Sequence, residues 1–225
     1  LGDDVYFFQD LAESAARAPG KIVVIGVLHQ SFRQYASRLG SESRDDWAKV
    51  QGRFADIPLV AASDEVVELI GRAFETSARP QSNQADARTI ASSMAARRPA
   101  ISVEAFAASL DACWPLHPAM AALLGPVSRR QFGQNERSTF GFLGSVEPHG
   151  FRSFLKEQDS TDECRYRPDH YWDYLRINLE PAILSSPDGH RWAQAADAVE
   201  RTEAHHSPLH SALIKSIAVI DLLRS

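Results

Sequence analysis

The sequence predicts an α/β first part followed by an all-helical remainder, with helix dominating overall. Three observations carry that expectation. Residues 22–28 form an unbroken apolar run rich in Ile and Val, the pattern of a strand buried on both faces in a parallel sheet covered by helices. After Ala100 the apolar residues recur at intervals of three and four rather than two, which is helical spacing. Ser, Asn and Pro stand where helices start: Ser102, Pro118, Asn135, Pro148 and the pair Ser207-Pro208.

Taken in order, residues 5–18 read as a helix, with Val5, Phe8, Leu11, Ala12, Ala15 and Ala16 near one face and Pro19-Gly20 as the stop. The strand of residues 22–28 follows, and His29-Gln30-Ser31 ends it at the edge where ligands bind in open α/β sheets. Phe32, Tyr35, Ala36 and Leu39 fit a helical face, residues 40–46 read as a loop, and residues 47–54 fit either state. Residues 55–60 are a second, short strand, placed near a sheet edge by Pro58. Ser63 reads as an N-cap with Asp64 and Glu65 in the first turn, ahead of a stripe of Val66, Val67, Ile70, Ala73 and Phe74.

Residues 78–100 shift to Ser, Gln, Asn, Arg and Pro, and read as a surface connection carrying one weak helix over 86–97. Helices then follow from Ser102 to Cys113, from Pro118 to a stop or kink at Pro126, from Asn135 through Leu143, and from Pro148 to about residue 158. Three more cover 171–183, 190–203 and 208–223, the last with Leu209, Leu213, Ile217 and Ile220 on one side. The organisation expected is 1–79 as part of a core, 80–100 as a connection, 101–158 as a helical lid and 159–225 as a helical extension.

Composition narrows the function classes. The 225 residues carry 24 Lys plus Arg against 29 Asp plus Glu, a net charge of −5, which argues against attachment to nucleic acid by overall charge. The longest apolar run is far short of the roughly 20 residues that span a membrane, so no membrane partner is expected. Two cysteines and no signal-peptide pattern point to a cytoplasmic setting. The chain opens Leu1-Gly2-Asp3-Asp4 without an initiator Met, as a piece of something longer or a processed product would.

Several chemical motifs are missing. Gly-x-x-x-x-Gly-Lys-Ser/Thr, Gly-x-Ser-x-Gly and His-Glu-x-x-His do not occur. Cys113, His117 and Cys164 have no recognised zinc spacing, and His206 and His210 straddle a helix start without a carboxylate. The polar residues that stand out are His29 and Gln30 after the apolar run, Arg53 before the short strand, and three arginines, 129, 130 and 137, beside a helix start. The last group suits an anion. A satisfied histidine at a sheet edge, an exposed charge and a solvated basic turn explain the same residues without function.

The stretches Asp4–Glu13, Gly26–Phe32, Trp47–Phe54 and Phe132–Ser138 together resemble the second half of an origin-recognition-like AAA+ P-loop ATPase module. The resemblance is to large multidomain prokaryotic ATPases, many linked to phage defence. It implies a partial nucleotide-binding core and helical lid from a parent that binds ATP and Mg2+ and works with other subunits, with nucleic acid as a further partner. By that resemblance His29 and Gln30 lie at sensor 1, Arg53 at the arginine finger and Arg137 in the lid near nucleotide. Walker A and Walker B are missing, so the chain alone is expected to be inactive. A non-enzymatic helical interaction module is the alternative that the residues leave open.

Overall fold

A computed structural model describes residues 4–28, 40–57, 62–75, 79–127, 139–157, 164–205 and 207–223. Eleven helices and no strand lie among the described residues, which fall into two compact units, Leu1–Val60 and Ala61–Ser225.

In the first unit, α1 (Asp4–Arg17) packs on α2 (Ser41–Gln51), with the Phe8 ring 5.9 Å from that of Trp47. The segment 41–46, read above as loop, is the first half of α2. The α/β expectation is overturned here. Residues 21–28 have no regular secondary structure, and Val23, Ile25 and Val27 are 80%, 81% and 82% exposed. Residues 55–57 are likewise irregular, and the rest of the second expected strand, residues 58–60, lies outside the described residues. The physical reason is pairing. A β-branched run favours extended backbone only weakly, and a strand persists only when neighbours take up its N–H and C=O groups. No described residue exchanges a backbone hydrogen bond with residues 21–28. The described residues therefore contain no P-loop-type core of parallel strands.

The second unit holds α3 (Ser63–Arg72), α4 (Gln81–Ala95), α5 (Val103–Ala112), α6 (Pro118–Val127), α7 (Thr139–Leu143), α8 (Phe151–Glu157), α9 (Pro168–Leu184), α10 (Gly189–His205) and α11 (Pro208–Leu223). The segment that looked like a surface connection is α4. Its small residues Ala87 and Ala91 are fully buried and let it lie close along α5. Helix α3 packs on α5 and α6, and Gly71 permits the approach: a Cβ there would meet that of Ala112 at 2.9 Å. Caps set the starts as the sequence suggested at Ser102, whose Oγ accepts the Ala105 N–H at 3.4 Å. At α3 the Glu65 carboxylate accepts the Ala62 N–H at 2.8 Å.

Two aromatic groups fill the centre. Phe142, Phe151, Tyr166, Tyr171 and Tyr174 form one group in which Phe142 meets its neighbours edge-on or tilted, 4.9 Å from Tyr171 and 5.4 Å from Tyr166, and Tyr171 stacks on Tyr174 at 5.8 Å. Trp172 of α9 stacks on Trp192 of α10 at 4.3 Å, and Trp192 Nε1 donates to Glu180 at 2.9 Å. Helix α11 closes the unit against α9 and α10 through Ala218, Val219, Leu222 and Leu223. After Ala100, the sole β-like feature among the described residues is a single parallel bridge between Leu116 and Tyr166.

Candidate functional site

Of the six polar residues singled out above, His29, Gln30, Arg129, Arg130 and Arg137 lie outside the described residues. Arg53 is described, just past the end of α2. Its Nη2 and Nε donate to Glu13 Oε1 of α1 at 2.7 and 3.2 Å, and its Nη1 to the Lys49 carbonyl at 3.4 Å. Hydrogen bonds from Arg53, then Gln9, hold the Glu13 carboxyl below its ordinary value. Arg53 thus ties α2 to α1 within the first unit.

A second polar group surrounds the Leu116–Tyr166 bridge. The His117 N–H donates to the Tyr166 carbonyl at 3.0 Å, and the Tyr166 N–H to the Pro115 carbonyl at 2.9 Å. Around this bridge Arg165 binds Asp86 of α4, and His117 Nε2 lies 3.6 Å from the same carboxylate oxygen. Arg167 meets Asp169 at 3.0 Å. The arrangement of Asp86 and His117 has the composition of a general-base pair, but the other ring nitrogen decides against that use. His117 Nδ1 accepts the Ala119 N–H at 3.1 Å and caps α6, so its lone pair is consumed and its proton sits on Nε2 toward Asp86. His170 does the same at α9, its Nδ1 accepting the Arg167 N–H at 3.0 Å. Burial, then the Arg165 charge, pushes His117 down against the pull of Asp86, and burial pushes His170 down as well. Burial works to raise Asp169, yet its bonds with Arg167 and the His170 charge hold it below the usual range. The cluster fastens α4, α6 and α9 together. Sequence reasoning weighed His117 only as a zinc ligand. The readable signal was its place directly before Pro118, an N-cap position.

The third feature is α11. Its inner face is apolar, and so is its outer one: Leu209, Leu213, Ile217 and Ile220 are 67%, 53%, 59% and 48% exposed. The stripe that the sequence placed on one side of this helix is the outward side. Lys215, its one lysine, turns inward to Asp173 of α9 at 2.9 Å and Glu203 of α10 at 2.8 Å, so no charge stands within the outward stripe. An amphipathic helix on a domain surface turns its polar side to water; this one turns leucine and isoleucine.

No family model, curated protein or solved structure matches the chain. The site is therefore read from geometry. Among the described residues no group of three or more His, Cys, Asp or Glu side chains is placed to hold a metal ion. No helix among them is long and apolar enough to cross a membrane.

Proposed function

We propose that the chain is a helical protein-interaction module that docks through the outward face of α11. The carrying observation is the exposed stripe Leu209, Leu213, Ile217 and Ile220 on a helix whose only lysine is turned inward. Burying a fully exposed Leu or Ile is worth about 1.5–3 kcal/mol, and with about half of each of these four side chains exposed, covering the whole stripe supplies roughly 3–7 kcal/mol toward a contact. The polar clusters around Arg53 and His117 act as fasteners and free the reading from any chemistry at them. Two unpaired cysteines suit a cytoplasmic setting. Carbene footprinting tests the proposal: the four side chains should label heavily in the dilute purified chain and be protected in the native cell extract. Equal labelling in both removes it.

A second reading, an ATP-hydrolysing parent, is favoured by one observation: the exposed apolar run 22–28 leads directly into His29, and it calls for a covering from beyond the described residues. The residues described do not fit ATP and Mg2+ by themselves. No glycine-rich phosphate loop exists in the sequence, and Arg53 is held by Glu13. In this reading the parent supplies the nucleotide site and further subunits, His29 and Gln30 serve as sensor 1, Arg137 serves the lid, and Arg53 reaches a neighbouring subunit. Arg53→Ala in such a parent should slow turnover by on the order of 10³-fold, and wild-type turnover would remove the reading.

A further inference from the structure

Resting on the interaction reading above, we infer that the partner covering the outward face of α11 is a second copy of this chain, its α11 running antiparallel to the first. Successive residues of a helix turn by about 100°, which puts Leu209, Ile220, Leu213 and Ile217 within about 80° of arc. Their spacing of four, four and three residues is nearly symmetric about its own midpoint. Turned end for end by a two-fold axis there, the stripe meets itself in register: Leu213 faces the second copy's Ile217, Leu209 faces its Ile220, and the same two pairs recur by symmetry. An isologous contact requires this self-complementarity.

The borders of the stripe agree. His210, whose Nδ1 lies 2.8 Å from Ser207 Oγ, and Asp221 lie on one flank, at opposite ends, so the two-fold brings the imidazole edge of each copy toward the other copy's carboxylate. The Asp221 carboxylate, 55% exposed, has room for that bond beside Arg191 at 3.4 Å. On the other flank stand Ala212 and Ser216, small residues that let two helices approach closely. The only other ionised side chain of α11, Lys215, is engaged inward by Asp173 and Glu203, so no like charges meet across the axis.

Sedimentation of the 225-residue chain tests this. At tens of micromolar the wild type should show twice the chain mass, and Leu213→Glu should weaken association about 100-fold or more with unchanged helical circular dichroism. If Leu213→Glu misfolds, Leu213→Gln serves in its place. Orientation is read by disulfide trapping in a Cys164→Ser background. Ser216→Cys, near the axis, should cross-link to itself, whereas Leu209→Cys lies about 18 Å from its own copy and should not. A wild-type monomer overturns the second copy, as does a dimer indifferent to Leu213→Glu, or cross-linking through Leu209→Cys instead of Ser216→Cys. A monomer whose stripe is nonetheless protected in extract leaves the interaction reading standing without this partner; a monomer without protection removes both.

Discussion

Acid should loosen the second unit through His117 and His170, because each spends Nδ1 on a backbone N–H at a helix start. Protonation of that nitrogen destroys the cap and places a positive charge at the positive end of a helix. A lost cap costs about 1 kcal/mol and the adverse dipole contact about 0.3–1 kcal/mol, so the two sites together are worth roughly 2–4 kcal/mol. The sign follows from the shifts. Both folded values lie below the ordinary 6.5, so the unfolded chain binds protons first. The contribution is then complete above about pH 6.5 and is lost as pH falls through the folded values. For a unit of this size 1 kcal/mol moves the melting temperature by about 2–4 °C. Urea or thermal melts at about pH 7.5 and about pH 5 check it. His117→Ala should lose about 1 kcal/mol at the higher pH, and the gap to wild type should narrow at the lower. A gap that is the same at both pH values, or an imidazole titrating above 6.5, would refute the capping role.

Three further outcomes follow from the packing. Gly71→Ala, forcing a methyl to 2.9 Å from the Ala112 Cβ, should cost about 1–3 kcal/mol in a denaturant melt. Lys215→Met leaves Asp173 and Glu203 facing one another without their shared cation, and should cost about 1–2 kcal/mol near neutral pH. The loss is read in the same melt beside wild type, and a melt identical to wild type would contradict the role of Lys215. Burial pushes the Cys113 thiol up to about 12, while Cys164 is only partly covered. Ellman's reagent should therefore find one fast thiol in the native chain and two in urea; two fast thiols in the native chain would contradict the burial of Cys113.

Helical starts were legible at three boundaries that carry a short polar side chain or proline. Ser102, Pro118 and Ser207-Pro208 mark α5, α6 and α11 where the structure has them. Pro80 and Pro168, at the starts of α4 and α9, were passed over, and the helix read from Pro148 begins at Phe151. Helix α4 was harder to see, because its buried residues are Asn83, Ala87 and Ala91, one polar and two small, which add little to an apolar pattern. The run 22–28 misled because β-branched composition reports what a segment needs around it, not whether those neighbours are present. The stripe on α11 was readable as a stripe, but periodicity alone cannot say which of two apolar faces turns inward. The inner face is the one that packs Ala218, Val219, Leu222 and Leu223 on α9 and α10, and Lys215 is tied on that side to Asp173 and Glu203. The capping histidines were legible locally and were passed over: His117 takes the N–H of Ala119 two residues on, and His170 that of Arg167 three residues back.

The central claim is that the outward face of α11 is kept apolar for a partner and not for the fold. Thermal melting of Leu213→Glu beside Leu222→Glu, in chain diluted below any association, separates the two uses. Leu213 is 53% exposed and Leu222 2%. An exposed substitution stays within about 0.5 kcal/mol, so Leu213→Glu should melt within about 2 °C of wild type. Leu222→Glu buries a carboxylate and should lose about 10 °C or more. Comparable losses in the two variants would mean that the stripe serves the fold, and would contradict the claim.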